Sequence, residues 1–203
     1  MEPELELENE SAPIKTVTSD QVLQAALKLF ADKGYFNTSL PEIREALGAT
    51  SANAITQHFK TKQAIALALR ESILDSLSIS IDDIRRRNRK SSEQLREIVD
   101  LLFRLTDDAP DVIKFLLFMD AKEFLPEAPA LMDTPAFSKI KRILQNGITE
   151  NEIRPLDPML IYCYFFGIVQ SSLQQVLLKN LPKSADSYES QVWLAAWSSI
   201  VKK

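Results

Sequence analysis

Residues 22–65 read VLQAALKLFADKGYFNTSLPEIREALGATSANAITQHFKTKQAI, and this stretch packs several helix starts and stops into little more than forty residues. Over 20–33, Val22, Leu23, Ala26, Leu27 and Phe30 recur at helical spacing, and Gly34 suits the left-handed backbone that ends a helix. Ser39-Leu40-Pro41-Glu42 is a capping box, in which a hydroxyl and a carboxylate each satisfy a backbone N–H that the first helical turn leaves unpaired. It predicts a second helix from Leu40, carrying Ile43 and Leu47 inward and ending at Gly48. Thr50 or Ser51 can cap a third short helix reaching about His58. A short helix, a tight turn and a second short helix make the helix-turn-helix arrangement that lays a recognition helix in the DNA major groove.

The third segment has little to pack and much to donate. Thr50, Ser51, Asn53, Thr56, Gln57 and His58 surround only Ala52, Ala54 and Ile55. Asn and Gln can pair with adenine in bidentate fashion, hydroxyls suit bases or phosphates, and Ala can touch a thymine methyl. A polar helix face bathed in solvent is the competing explanation of the same composition.

Outward from this head, Thr61 caps a long helix through Ile65, Leu69, Ile73, Leu77 and Ile81, which ends in Arg85, Arg86, Arg87, Arg89 and Lys90. Cations at a helix C-terminus are favoured by its dipole, so this cluster reads as a solvated helix end before a nucleic-acid patch. Further helices are predicted over 93–105, 112–123, 134–147, 157–180 and 187–201, with breaks at Pro110, Pro126, Pro129, Gly147, Pro155 and Pro182. Only four glycines occur and strand-like alternation is hard to find, so the fold is expected to be all-α. Residues 1–17 are acidic, carry two prolines and read as a solvated, disordered arm.

The chain has 203 residues and a formal charge of -4. That balance argues against a uniformly basic nucleic-acid coat. It is local, however: without the five glutamates of residues 1–10 the charge becomes +1, and residues 21–70 hold six cations against three anions. The acidic arm should repel DNA rather than grip it, so deletion of residues 1–12 is expected to leave DNA affinity unchanged or improve it.

Cys163 is the single cysteine, which excludes an intramolecular disulfide and the usual structural zinc ligands, and a cytoplasmic protein is the economical reading. The first ten residues carry no cation, unlike a secretory leader. The longest apolar run, 158–169, falls short of the roughly 20 residues of a membrane helix, so no membrane partner is expected. No Gly-rich phosphate loop, zinc motif or nucleophile elbow appears. His58 and Cys163 are the only residues of their kinds, the latter reading as a small core hydrophobe. No enzyme activity, cofactor or metal is expected.

With these residues in view, 22–65 resembles the DNA-binding domain of the tetracycline-repressor (TetR) family. The likeness is carried by Ala25-Ala26, Leu29-Phe30, Gly34-Tyr35, Thr38-Ser39, Ile43, Leu47-Gly48, His58-Phe59, Lys62 and Ile65. It departs from the family pattern at Thr56, where a Tyr is usual, and at Arg44, where an Ala is usual. Beyond the head, the similarity is one of layout.

The resemblance implies a head over 18–62 and an effector-binding, dimerising body over 63–203. It places Thr38, Ser39, Arg44, Thr50, Ser51, Asn53, Thr56, Gln57, His58, Lys60 and Lys62 at DNA. Thr38 and Lys62 would meet phosphate, whereas Ser51, Asn53 and Gln57 would face base edges. It also implies a small apolar or aromatic effector, for which Phe103, Phe115, Phe118, Met119, Tyr162 and Phe166 are candidate contacts, although ordinary core packing explains most such residues equally well.

The same resemblance puts helices 157–180 and 187–201 in a homodimer. Their stripes Leu160, Tyr164, Ile168, Leu173, Val176 and Leu177, then Val192, Trp193, Ala196, Trp197 and Ile200, fit either a two-fold bundle or an intramolecular core. The function expected is a repressor released from its operator by the effector, the alternative being an all-α protein-interaction module that no longer binds DNA.

Overall fold

Thr18 opens the first helix by a reciprocal exchange: its hydroxyl accepts from the Gln21 N–H at 3.3 Å and its own N–H donates to Gln21 Oε1 at 3.0 Å. The structure is a computed structural model that describes residues 17–49, 51 and 53–203. The arm expected over 1–17, Val17 apart, and the contacts expected of Thr50 lie outside the described residues.

Helix α1 (Ser19–Lys33) ends at Gly34, whose φ of 84° places it in the left-handed half of backbone space. Helix α2 (Leu40–Ala46) begins with the Ser39–Glu42 box, and α3 (Lys62–Arg87) with Thr61, whose hydroxyl accepts from the Ala64 N–H at 3.0 Å. Then come α4 (Ser91–Asp108), α5 (Pro110–Ile113), α6 (Pro135–Thr149), α7 (Pro158–Leu177) and α8 (Asp186–Ser198). Among the described residues no strand forms beyond an isolated antiparallel bridge between Ile153 and Val201. The arginines closing α3 are paired, Arg85 with Asp82, Arg86 with Asp83 and Arg87 with Glu97, as suits a solvated helix end.

Three sequence expectations are corrected. The segment before His58 is a run of turns rather than a regular helix. Gln57 and Phe59 donate to carbonyls four residues back, whereas Ala54 and His58 donate to carbonyls only three back. Ser and Asn compete for the backbone here, with the Asn53 N–H bonded to Ser51 Oγ at 3.3 Å.

The helix expected over 112–123 is likewise broken into α5, a π-helical turn (Lys114–Phe118) and a 3-10 turn (Ala121–Glu123). The break expected at Pro110 is present, since α4 ends at Asp108, and Pro110 also starts α5 because its missing N–H costs nothing in a first turn. Gly147 does not end α6; it lies within it, and a Cβ there would stand 2.6 Å from Ile153 Cδ1 and 3.2 Å from Ser91 Cβ.

Two apolar clusters result. The larger draws on α3, α4, α6, α7 and α8 and includes Ile81, Phe103, Phe137, Phe166 and Trp193. The smaller collects Val22, Ala26, Phe30, Tyr35, Ile43 and Ile55 from the head, Ile65, Ala66 and Leu69 from α3, and also Phe115 and Phe124. Phe115 stacks on Phe30 at 6.1 Å and on Phe124 at 5.8 Å, and Phe124 meets Tyr35 at 5.5 Å.

Where α4 packs on α8, Asp100 Oδ1 and Glu189 Oε1 are both buried without a hydrogen-bond partner. Burial, and then the Glu189 carboxyl beside it, push the Asp100 carboxyl up to about 6, against the opposing charges of Arg96 and Arg104. The folded chain therefore prefers Asp100 protonated. This contribution to stability is complete below the ordinary value of 3.8 and is lost as pH rises through about 6.

Asp100→Asn should raise the melting temperature above about pH 7 and flatten its fall between about pH 4 and 7, as followed by circular dichroism. An unchanged slope in the variant would remove this pair as its cause. Gly147→Ala should destabilise the chain by about 1–3 kcal/mol in denaturant unfolding, since the new methyl has to displace Ile153.

Candidate nucleic-acid interface

The turn between α1 and α2 is held from below. Lys62, at the start of α3, donates from Nζ to the Tyr35 and Thr38 carbonyls, each at 2.7 Å, and sits 4.1 Å from the centroid of the Tyr35 ring. Burial lowers its ammonium pKa, with the charges of Glu123 and Glu42 opposing. Thr38 is buried, and its hydroxyl donates to the Gly34 carbonyl at 2.9 Å. The structure thus commits to the head's interior two groups that the sequence reading aimed at phosphate.

Ser39 keeps its N-cap role. Its N–H and its hydroxyl both donate to Glu42 Oε2 at 2.8 Å, and Lys33 pairs with Glu42 Oε1 at 2.8 Å. The Lys33 hydrogen bond, followed by those from Ser39, holds the Glu42 carboxyl down at about 2. Arg44, on α2, is half-buried.

Past Gly48 the segment divides by face. Ala54 and Ile55 are buried, while Ser51, Asn53, Thr56, Gln57, His58 and Lys60 are exposed. The packed pair anchors a polar surface, as the composition of this stretch foretold. Two of its members are engaged: His58 Nε2 donates to the Val17 carbonyl at 2.7 Å, and Gln57 Nε2 reaches the same oxygen at 3.5 Å. This tie to the start of α1 spans forty residues of sequence, and no local pattern signals it.

The candidate effector residues do not converge. Phe103, Tyr162 and Phe166 are buried in the body core, where Tyr162 and Phe166 stack at 5.1 Å. Burial raises the Tyr162 phenol pKa. Phe118 and Met119 line a cavity of about 320 Å³ at the junction of head and body, with Phe30, Lys114 and Leu177. Phe115 and Met119 border another of about 160 Å³ with Arg70 and Leu131. A third cavity, of about 250 Å³, is walled by Ile73, Leu77, Leu101, Leu105, Val112 and Leu116 from α3, α4, α5 and the π turn. The sequence reading missed it, although Ser72, Ser76 and Ser80, one turn apart on its α3 edge, leave room there.

On the last two helices, Leu173, Trp193, Ala196 and Ile200 fill the intramolecular core, with Trp193 and Trp197 stacked at 5.5 Å. Met159, Leu160, Tyr164 and Leu194 remain exposed, and so does Cys163, which is therefore no core hydrophobe. Helix α7 is long and apolar enough to cross a membrane by length and composition, yet Ile161, Phe165, Val169 and Leu173 are packed inside the body.

Helices α1 and α2 and the exposed polar turns after Gly48 thus form a head at the start of α3, set on a helical body. Residues 22–69, the head and the first turns of α3, match the model of the bacterial regulatory proteins of the tetR family.

Solved structures of similar fold include a TetR family transcription regulator from Marinobacter aquaeolei VT8, 19% identical, with 91% of this chain and 96% of that one covered and a TM-score of 0.73. The regulator FadR from Bacillus subtilis, in complex with stearoyl-CoA, is 19% identical over 90% of this chain and 100% of that one, at a TM-score of 0.75. The ketosteroid transcriptional regulator KstR2 of Mycobacterium tuberculosis is 22% identical over 91% and 95%, at a TM-score of 0.70. No curated protein matches the chain.

Lys62→Met removes two charge-assisted bonds and should destabilise the head by about 1–3 kcal/mol. The logarithmic salt slope of DNA binding should stay within a few tenths of the parent. Loss of a phosphate contact would instead reduce it by about 0.9.

Proposed function

We propose that this chain is a dimeric, sequence-specific transcriptional regulator, a repressor that leaves its operator when a small apolar molecule enters the body. The observation that carries the reading is the exposed row Ser51, Asn53, Thr56, Gln57, His58 and Lys60, held over the packed Ala54 and Ile55 in a tetR-type head. Head 18–62 reads DNA, and body 63–203 binds the effector and dimerises. The protein acts in the cytoplasm and carries no enzymatic activity; His58 lies in the turns beside the start of α1, and Cys163 lies on α7.

Dimerisation is supported by the apolar side chains that α7 and α8 leave exposed, Leu160, Tyr164 and Leu194 among them. Two heads would then reach half-sites one or more helical turns apart, about 34 Å per turn. An apolar effector is supported by the cavity between α3, α4 and the π turn, and by two relatives, one bound to stearoyl-CoA and one named for ketosteroids. Leu116 walls that cavity and its neighbour Phe115 stacks on Phe30, so filling the cavity would press on α1. Coupling of this kind is typically about 1–3 kcal/mol and must be reciprocal, so operator weakens effector by the factor that effector weakens operator.

Selection of bound duplexes from a random pool, repeated over a salt series, tests the reading. A two-fold symmetric motif is expected, with Asn53→Ala relaxing preference at one position of each half-site. Enrichment of no sequence would favour the protein-interaction alternative. In sedimentation at micromolar concentration the parent chain should run as a dimer and Leu160→Glu/Tyr164→Glu as a monomer. A parent that runs as a monomer would refute the dimer.

A further inference from the structure

The carbonyl of Val17 fixes where the N-terminal segment leaves the packed head. The Thr18 capping box holds the backbone on one side of it, and His58 and Gln57 hold the oxygen itself. The sequence before Val17 therefore departs from the edge of the reading segment, whose Ser51, Asn53, Thr56 and Lys60 are exposed. That sequence carries glutamates at positions 2, 4, 6, 8 and 10 and, through residue 16, the single cation Lys15. In extended backbone, residues two apart share one side, about 7 Å from one carboxylate to the next. Five glutamates at this spacing would offer an extended partner surface a row of negative charges of the kind a nucleic-acid strand presents as phosphates.

We propose that the acidic segment 2–10 docks in cis on the reading surface of its own head and competes there with DNA. Reach is sufficient, because the seven residues from Glu10 to Val17 span up to about 25 Å. Charge is complementary: the exposed Lys60 lies two residues beyond His58, and Arg44 is half-exposed on the neighbouring α2. Chemistry on the head side also agrees, since Gln57 and His58, both expected at DNA, already hold a backbone oxygen of the entering chain. DNA binding would then require the segment to leave. The competition rests on the DNA-reading role proposed above, whereas the docking can be tested without DNA.

Carbodiimide cross-linking of the full chain, mapped by peptide mass, should join glutamates of segment 2–10 to Lys60. The cross-links should fade in high salt and on addition of duplex DNA. A variant carrying Glu2→Gln, Glu4→Gln, Glu6→Gln, Glu8→Gln and Glu10→Gln should bind duplex DNA about tenfold more tightly at low ionic strength, with the gap closing as salt shortens the range of charge interactions. A chain lacking residues 1–12 should behave as that variant does, and a peptide of residues 1–16 added back should weaken its binding. Absent cross-links overturn the docking, and equal or weaker DNA binding by the glutamine variant overturns the competition. If neither form binds any duplex, the DNA-reading role fails and the cross-links alone decide the docking.

Discussion

Phe115 belongs to the body by its place in the sequence and to the head by its packing. Its ring stacks between Phe30 of α1 and Phe124, which in turn meets Tyr35 in the turn that α2 follows. Around this stack the polar contacts run the same way: Gln63 donates to the Phe124 carbonyl at 2.8 Å, and Lys114 pairs with Asp32 at 3.3 Å. Helix α3 passes through both apolar clusters, giving Ile65, Ala66 and Leu69 to one and Leu74, Leu77, Ile81 and Ile84 to the other. Head and body are thus joined by a shared core, and a displacement of the π turn has to be felt by α1.

That dependence explains why the chain between α4 and α6 is irregular. Five apolar residues in sequence, Phe115 to Met119, serve different neighbours: Phe115 the head, Leu116 the α3–α4 cavity, Phe118 and Met119 the junction cavity. A regular helix turns each residue by a fixed angle and cannot supply all of these. The wider π turn does so at the cost of one backbone bond, and Gln170 on α7 donates to the Leu117 carbonyl at 3.1 Å. Cavities on either side of the turn follow from the same mismatch.

The features legible in the sequence are those set by neighbours a few residues away. Capping boxes at Ser39 and the Thr61 cap act over three residues, and both are found where the spacing put them. Ala54 and Ile55 packed beneath a polar face were readable for the same reason. What escaped depends on residues distant in the chain. Gly147 looks like a stop until Ile153 folds back on it, and Lys62 looks like a phosphate ligand until two carbonyls from the preceding turn claim it. Trp193 looks like half of a dimer seam until Phe165 meets it edge-on at 6.1 Å and Arg96 covers it at 5.7 Å. The aromatic candidates scattered for one reason: type and spacing mark a residue as apolar, but not which of two cores receives it.

The same distinction reshapes the electrostatics of the head. Counting residues 21–70 gives six cations, yet Lys33 is held by Glu42, Lys62 by backbone carbonyls, and Arg70 is half-buried at a cavity wall, where burial lowers its pKa. Lys28 and Lys60 are exposed, and Arg44 is half-buried. Each phosphate neutralised contributes about 0.9 to the salt slope, so under the proposed function these three would give one head a slope of only about 3, and two heads about twice that. Binding by a single head would be correspondingly weak. In the proposed dimer the apolar side chains exposed on α7 and α8 would bear on DNA affinity, because bringing two weak heads onto one duplex multiplies their binding without any new contact. A head so sparingly charged is also one on which five glutamates in cis can compete, since the surface they would cover offers DNA little more than it offers them.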